Sequence, residues 1–402
     1  MLSTIIAIYT FYILVKLYAS IMQIGFINDR KTKKALLMSE SKFLIAGNYA
    51  VAKEKMSMAS TLLEYIAFIV WLDLGIAWLQ SSVAFSSQAY ETTAIVLGFI
   101  LISSIISLPF AYYEKFVLDE AFGFNKSTIK LFIKDTFIEA FLTIIIGGIV
   151  ILGINYIITN STLWWLWSFL FIFTIIILIN MLFPTVRAMF FDKLTPLDDE
   201  ELNTQITELM TKTGFQSQGV FISDASKRDA RLNAYFGGLG KSKRVVLYDT
   251  LLEKLSANEL LAVLGHELGH FAHGDIYKNI ALVGAMLFGM FALFGNIPSS
   301  LFLELNITES SASLMILFLL FMSPLGFIMM PIMGLVSRHN EYEADKMSAE
   351  LISAEYLVTA LKKLVTENKS FPLSHPVYMF LYYTHPPVLE RLRELGLDVD
   401  KE

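Results

Sequence analysis

The sequence predicts a mainly α-helical membrane protein of about seven transmembrane helices, with a smaller α+β part in its C-terminal half. Hydrophobic residues make up 55% of the 402 residues and charged residues only 17%. The mean hydropathy is +0.58, well above the values of soluble domains. Seven apolar runs are each long enough to cross about 30 Å of hydrocarbon, and short segments of strand-like pattern follow the fifth run. These features exclude an ordinary soluble protein.

The apolar runs divide the chain at about residue 190. They lie near residues 3–25, 59–81, 93–113, 138–158, 163–186, 279–299 and 312–336. We therefore expect an N-terminal transmembrane domain of five spans over residues 1–190, and a second domain over residues 191–402 that includes the last two spans. The first run is too long for the apolar core of a signal peptide and has no basic segment before it, so we expect it to be retained.

Basic residues are distributed unevenly among the loops. The loops 26–58, 114–137, 187–278 and 337–402 hold every Lys and Arg except Lys16, whereas the intervening loops hold none. Because basic loops remain in the cytoplasm, we expect the N-terminus outside and the C-terminal tail inside.

Two ionisable residues, Lys16 and Asp73, are expected inside spans, where charges usually face a polar interior or each other. Their depths differ by about 9 Å at the helical rise per residue, which allows a direct ion pair. The alternatives are that Lys16 extends toward the cytoplasmic surface and that Asp73 faces a water-filled cavity.

The strongest chemical signal is the sequence Gly265-His266-Glu267-Leu268-Gly269-His270. His266 and His270 are four residues apart, so they project from one face of an α-helix and can bind one Zn²⁺. Glu267 is placed to take a proton from water as a general base. The alternative is an accidental match on a surface helix, but a capping box at Ser256–Glu259 begins a helix at the right place. Gly269 disfavours the helix, which indicates a close approach of another element there.

A catalytic zinc ion usually keeps three protein ligands and one open position, so a third ligand is expected downstream. Our candidate is Glu341, with Asp345 one helical turn later as the hydrogen-bond partner of a ligand His. The alternative is an ordinary acidic helix face. The chain has no Cys, which excludes thiolate ligands. We therefore predict one Zn²⁺ per chain, bound by His266, His270 and Glu341.

The segment after residue 190 has a mixed pattern. Asp198–Thr213 is predicted to be helical, and Val220–Ser223, Leu232–Phe236 and Val245–Tyr248 are predicted to be short strands. A glycine-rich turn, Gly237-Gly238-Leu239-Gly240, follows the second strand. A sheet beside the zinc helix suits a protease, because an extended peptide can add to a sheet edge.

Further motifs follow one another in order along nearly the whole chain. Besides the two zinc motifs they are Leu108-Pro109-Phe110, Phe116-Val117-Leu118-Asp119-Glu120, Gly123-Phe124-Asn125, Phe191-Asp192-Lys193-Leu194-Thr195-Pro196-Leu197, Ser226-Lys227-Arg228, Asn233-Ala234-Tyr235-Phe236, Lys243-Arg244-Val245-Val246-Leu247-Tyr248-Asp249-Thr250-Leu251-Leu252, and Thr384-His385-Pro386-Pro387 with Glu390-Arg391. With these motifs the chain resembles the type I CAAX prenyl endopeptidases, a family of integral-membrane zinc metalloproteases with seven spans. A His-Glu-x-x-His motif alone would indicate only a zinc hydrolase.

The resemblance implies a barrel of membrane helices around a water-filled chamber, with a gluzincin-like α+β zinc protease domain at its cytoplasmic end. It implies that a peptide lies antiparallel along an edge strand formed by Asn233-Ala234-Tyr235-Phe236. It also implies that His385 and Arg391 contact the peptide and the tetrahedral intermediate. The alternatives are a place before a Pro-started helix for His385 and a surface charge beside Glu390 for Arg391.

The activity that the resemblance implies is removal of the C-terminal tripeptide from prenylated CAAX proteins. One alternative is a membrane quality-control protease that acts on misfolded or unprenylated polypeptides, which fits a bacterial host without prenylated CAAX proteins. Another is a transporter or a zinc-dependent binding module without hydrolysis. The expected partners are a peptide or protein substrate and the lipid bilayer, and the net charge of −6 argues against nucleic acid. We expect a bacterial inner membrane in preference to an endoplasmic reticulum membrane, with the active site facing the cytoplasm.

Overall fold

Helices make up most of the chain in the computed structural model, which describes residues 2–237 and 243–398. The N-terminal helices are α1 Leu2–Arg30, α2 Glu40–Val70, α3 Ile76–Ser82, α4 Gln88–Tyr113, α5 Ile129–Leu142, α6 Gly148–Asn160 and α7 Trp164–Phe190. Three π-helical turns continue these helices. They are Trp71–Gly75 between α2 and α3, Glu114–Asp119 after α4, and Thr143–Gly147 between α5 and α6.

The C-terminal part contains four strands and nine further helices among the described residues. In chain order they are β1 Leu194–Pro196, α8 Glu200–Lys212, β2 Val220–Ser223, β3 Ala234–Gly237, β4 Arg244–Tyr248, α9 Asp249–Leu252, α10 Ala257–Ala272, α11 Asp275–Phe294, α12 Ser300–Glu304, α13 Ser311–Leu351, α14 Ala354–Glu367, α15 Pro376–Tyr382 and α16 Val388–Glu394. A single 3₁₀ turn, Ala225–Lys227, follows β2.

Seven helices of the described chain are long and apolar enough to cross a membrane, which confirms the predicted number. They are Leu2–Arg30, Glu40–Ser82, Gln88–Asp119, Ile129–Asn160, Trp164–Leu182, Asp275–Phe294 and Ser311–Leu351. The second and the seventh are much longer than the apolar runs, because polar helical turns continue them beyond the hydrocarbon. The predicted fold class is therefore confirmed. The division at residue 190 and the chamber inside the barrel stay predictions.

The membrane helices pack around a buried apolar core that α1, α2, α4, α6, α11 and α13 share. Aromatic rings make many of its contacts. The ring of Tyr9 on α1 stacks on that of Phe68 on α2 with centroids 3.5 Å apart. The ring of Trp71 meets Phe99 on α4 edge-on, with centroids 4.8 Å apart. These contacts fix α1 against α2 and α2 against α4.

Lys16 forms an ion pair in the membrane part, but its partner is Glu64 of α2. The ammonium lies 2.8 Å from the Glu64 carboxylate, which also accepts hydrogen bonds from the hydroxyls of Tyr9 and Tyr12. Of the possibilities left open by the sequence, the direct ion pair of Lys16 with Asp73 does not form, because Glu64, which also falls inside the second apolar run, is the partner of Lys16. Lys16 is held there instead of extending to the cytoplasmic surface. Asp73 is exposed on the π-helical turn between α2 and α3.

The four strands form one mixed sheet in the order β1-β2-β4-β3. β2 and β4 are parallel, whereas β1 pairs antiparallel with β2 and β3 pairs antiparallel with β4. The three predicted strands are confirmed, although β3 begins at Ala234 and not at Leu232. The sequence pattern does not predict β1, which has only three residues and includes Pro196. The predicted turn at Gly238-Leu239-Gly240 lies outside the described residues.

The sheet packs on α8 and α10 through a second apolar core. Its most deeply buried side chains are Ile206, Leu209, Val245, Leu247, Leu251, Leu260, Leu264 and Leu268. Full burial of such a side chain stabilises the folded state by about 1.5–3 kcal/mol. The buried leucines of α10 therefore hold it firmly against the sheet. α8 begins at Asp199, whose carboxylate accepts a hydrogen bond from the Leu202 amide, and the predicted helix Asp198–Thr213 is confirmed to within two residues.

The orientation can be tested with single cysteines, because the chain has none of its own. Ser86 is exposed in the loop between α3 and α4, and Lys227 is exposed on the 3₁₀ turn after β2. In sealed vesicles with the cytoplasmic face outward, a membrane-impermeant maleimide should label Lys227→Cys directly and Ser86→Cys only after detergent is added. The reverse order of labelling would place the N-terminus in the cytoplasm and contradict the charge distribution of the loops.

Candidate metal centre

Helix α10 presents His266 and His270 on the same face. The helix begins with the predicted capping box, which is confirmed, because the Glu259 carboxylate accepts from the Ser256 amide at 2.8 Å and Ser256 Oγ accepts from the Glu259 amide at 3.4 Å. One helical turn separates the two His residues, and their Nε2 atoms lie 3.2 Å apart. Both imidazoles thus point at one position beside the helix.

Glu341 on α13 completes a group of three donors. One ligand atom from each of His266, His270 and Glu341 can be chosen so that all lie within 4.8 Å of one another. Glu341 Oε1 is 3.2 Å from His270 Nε2, and Oε2 is 3.5 Å from His266 Nε2. The structure therefore brings together the three residues that the sequence analysis proposes as ligands.

The group forms because α10 and α13 approach each other very closely. A Cβ atom on Gly269 would lie 2.8 Å from the Cα of Ala344, a distance that real side chains do not allow. One turn later on α13, Ser348 Oγ donates a hydrogen bond to the Ala262 carbonyl on α10 at 2.6 Å. The predicted close approach at Gly269 is confirmed, and its partner is the backbone of the helix that carries Glu341.

Two carboxylates orient the imidazoles from behind. Asp345 Oδ1 is 2.8 Å from Nδ1 of His266, and Asp275 Oδ2 is 2.8 Å from Nδ1 of His270. A carboxylate at Nδ1 holds the ring so that Nε2 is directed to the metal position. Asp345 is predicted from the sequence, whereas Asp275 is not. The signal that indicates Asp275 is its place at the start of the helix that directly follows the motif.

Arg391 is buried behind the same group, with 7% of its surface exposed. Its guanidinium donates to both Asp345 oxygens, at 2.7 and 2.6 Å, and its Nη1 lies 3.1 Å from Glu341 Oε2. The alternative of a surface charge beside Glu390 is wrong, since Glu390 accepts instead from the Tyr342 hydroxyl. Arg391 therefore fixes the two carboxylates of α13 relative to each other.

His385 reaches the group from the loop before α16. Its Nε2 lies 3.2 Å from Glu341 Oε1, although 66% of its side chain is exposed. Its Nδ1 is 3.1 Å from the hydroxyl of Thr384. Because the ring is exposed and one of its nitrogens lies at the candidate metal position, it can contact a molecule that binds there. A place before a helix does not by itself account for this position.

The donor set fits a cation. Burial disfavours the charged form of His270, but its hydrogen bonds with Glu341 and Asp275 and the charge of Glu267 raise its pKa to about 9. Burial alone would raise the pKa of Glu341, yet His270, Arg391 and His266 hold it below its usual range. Glu341 Oε2 is buried and lies 3.1 Å from Arg391 Nη1, but it accepts no well-formed hydrogen bond from the described residues. Two imidazoles beside a buried carboxylate with an oxygen that lacks such a bond are a donor set that a divalent metal would satisfy.

Strand β3 lies at the edge of the described sheet and has backbone groups available for pairing. The Tyr248 amide donates to the Asn233 carbonyl at 3.1 Å. Because donors alternate along an antiparallel ladder, the next residue, Ala234, turns its N–H and C=O away from β4. The Ala234 amide is met only by the side-chain oxygen of Asn233, at 2.9 Å, in the described structure.

Comparison with known proteins gives the same picture over the whole chain. Residues 196–397 match the model of peptidase family M48, and residues 30–193 match the model described as CAAX prenyl protease N-terminal, five membrane helices. CAAX prenyl protease 1 of Saccharomyces cerevisiae is 32% identical over 91% of this chain and 88% of its own length. A homolog from Arabidopsis thaliana is 34% identical over 77% of this chain and 74% of its own length.

A solved structure has the same fold. The crystal structure of S. mikatae Ste24p superposes with a TM-score of 0.90 at 30% sequence identity, and the match covers 98% of both chains. The donor group on α10 and α13 lies within the segment that matches the M48 model. This chain therefore belongs to peptidase family M48 and is an integral-membrane metalloprotease.

Proposed function

We propose that this chain is a zinc metalloendopeptidase that removes the C-terminal tripeptide from prenylated CAAX proteins. The observation that carries the proposal is the convergence of His266, His270 and Glu341 on one position beside the exposed His385. The substrate class is supported by relatives named CAAX prenyl protease 1, one of which is matched over 88% of its length.

The donor set supports zinc as the metal, at one ion per chain. Two imidazoles and one carboxylate are a common ligand set of catalytic Zn²⁺, which leaves a position open for water or substrate. When bound, Zn²⁺ lowers the pKa of a coordinated water and polarises the peptide carbonyl. His266, His270 and Glu341 would hold the ion, and Asp345 and Asp275 would keep the imidazoles oriented.

The remaining roles follow from position. Glu267 is half-buried on α10 between the two His residues, so it takes the proton of the attacking water and delivers it to the leaving amine. The exposed His385 donates to the oxyanion of the tetrahedral intermediate. The guanidinium of Arg391 is bonded to Asp345 and lies beside Glu341. We therefore assign Arg391 the role of positioning these two carboxylates and not of contacting the substrate.

A peptide substrate is held along Asn233-Ala234-Tyr235-Phe236 by backbone pairing. The outward N–H and C=O of Ala234 offer a donor and an acceptor, and pairing through them accepts peptides of many sequences. The active site faces the cytoplasm, on the inner membrane of a bacterium or on the endoplasmic reticulum membrane of a eukaryote. This follows from the basic loops that flank α10.

The activity is tested by mass spectrometry of products from two synthetic CAAX peptides, one farnesylated and one not. The purified enzyme should release the C-terminal tripeptide from the farnesylated peptide. Glu267→Gln should lower turnover by about 10²- to 10⁴-fold with zinc retained, because only the proton acceptor is lost. Equal cleavage of the unprenylated peptide would favour the quality-control alternative. Zinc-loaded protein that cleaves neither peptide would contradict the proposed substrate class.

The strand is tested by two substitutions at Ala234. Ala234→Pro removes the outward N–H without breaking a bond to β4, so it should lower kcat/KM by about tenfold or more. Ala234→Ser keeps the backbone donor and should change kcat/KM by no more than roughly twofold. Zinc content and the thermal unfolding midpoint of both variants should match those of the unmodified protein. A folded, zinc-loaded Pro variant with unchanged kcat/KM would contradict the assignment of this strand.

A further inference from the structure

A polar cavity of about 510 Å³ lies at the N-terminal end of β3. Leu232 and Asn233, which lead into the strand, form part of its wall. Arg228 and Arg231 come from the preceding loop, Arg187 from the end of α7, and Lys115 from the π-helical turn after α4. The cavity is therefore bounded on one side by the strand that we assign to substrate and on the other by the ends of membrane helices.

The wall of this cavity carries more positive than negative charge. Four cationic side chains line it, against two carboxylates, those of Asp192 and Asp229. A second cavity of about 550 Å³ continues from it and shares Lys115, Arg187, Asp192 and Arg228. Five carboxylates line that second cavity, those of Glu114, Asp119, Asp135, Glu139 and Asp192, against three cations. The lining residues thus carry a net positive charge in the cavity beside β3 and a net negative charge in the second cavity, so an anion fits the first better.

The three arginines of the cavity are each tied to a carboxylate. Arg187 Nε lies 2.5 Å from Asp192, Arg228 Nε lies 2.9 Å from Asp135, and Arg231 Nη2 lies 2.6 Å from Asp119. These bonds fix the guanidinium groups but compensate most of their charge.

Lys115 differs from the arginines. It is half-buried and lines both cavities, yet it forms no salt bridge within the described ranges 2–237 and 243–398, and it acts on Glu139 only at a distance. A half-buried ammonium without a salt-bridge partner still has its charge available, so an anionic group that enters the cavity can pair with it.

The direction of β3 decides which end of a peptide reaches this ammonium. A peptide that pairs antiparallel with β3 runs opposite to the strand, so its C-terminal residues pass Asn233 and enter the cavity. Each residue advances an extended chain by about 3.4 Å, so three residues span roughly 10 Å. The volume of the cavity is within the usual range of ligand sites.

We propose that Lys115 binds the terminal carboxylate of the peptide substrate in the cavity at the N-terminal end of β3, with Arg187 and Arg228 as the fixed polar wall around it. An ammonium and a carboxylate form a charge-assisted hydrogen bond. A carboxylate held at a fixed place beyond the strand would fix how many residues lie between the cleaved bond and the C-terminus. This inference rests on the proposed function, since it concerns the substrate of the same site.

The test compares two farnesylated peptides of the same sequence, one with a C-terminal carboxylate and one with a C-terminal amide. The unmodified enzyme should show a KM for the amide about tenfold higher or more, since a hydrogen bond between charged groups is lost. Lys115→Ala should raise the KM for the carboxylate peptide to that for the amide, with zinc content unchanged. Lys115→Arg keeps the charge and should retain most of the preference. Lys134→Ala removes an exposed lysine of α5 that lines neither cavity, and it should keep the full preference.

Equal KM values for the two peptides with the unmodified enzyme would overturn the inference, and so would a Lys115→Ala variant that keeps the preference. These results would leave the proposed activity intact, because both peptides would still be cleaved. If neither peptide is cleaved, the proposed function fails, and the inference is then decided by binding to zinc-loaded Glu267→Gln protein. Tighter binding of the carboxylate peptide that is lost in the Glu267→Gln/Lys115→Ala double variant supports a carboxylate site. Equal binding of the two peptides rules it out.

Discussion

The close contact between α10 and α13 is the constraint on which the metal centre depends. Two donors come from α10 and the third from α13, so the donors meet only if the helix backbones nearly touch. Gly269 makes this possible, since any side chain there would run into Ala344. One turn further along α13, the hydrogen bond from Ser348 to the Ala262 carbonyl also holds the two helices together. Glycine at position 269 lowers the local stability of the helix. The packing of α10 on the sheet compensates for this loss.

The same contact connects the site to the membrane. α13 is one continuous helix over Ser311–Leu351, and this helix contains both a membrane span and the turn that carries Glu341. α10 is fixed from the other side by its capping box and by the apolar core beneath the sheet. Arg391 then ties Asp345 to Glu341. Contacts among the side chains and helices thus hold the donors in place, which lowers the cost of organising the site.

Local sequence patterns predict the elements that carry the site, because their signals lie within one or two helical turns. The capping box, the four-residue spacing of His266 and His270, and the helix-disfavouring Gly269 are all of this kind. Pairing across the fold is different. The Lys16–Glu64 ion pair joins two membrane helices, and nothing local distinguishes Glu64 from Asp73 as the partner. The cavity beside β3 is likewise built from five separate segments, so no single stretch of sequence indicates it.

The central claim is that one metal ion is held by His266, His270 and Glu341, and it is tested most directly by metal analysis of purified variants. The unmodified protein should contain one zinc ion per chain. His266→Ala, His270→Ala and Glu341→Ala should each lose most of it, because a catalytic site with only two protein ligands binds zinc weakly. Glu343→Ala is the matched control, since Glu343 is an exposed carboxylate on the same helix, and it should keep its zinc. Zinc retained in the Glu341 variant and lost from the Glu343 variant would contradict the assignment.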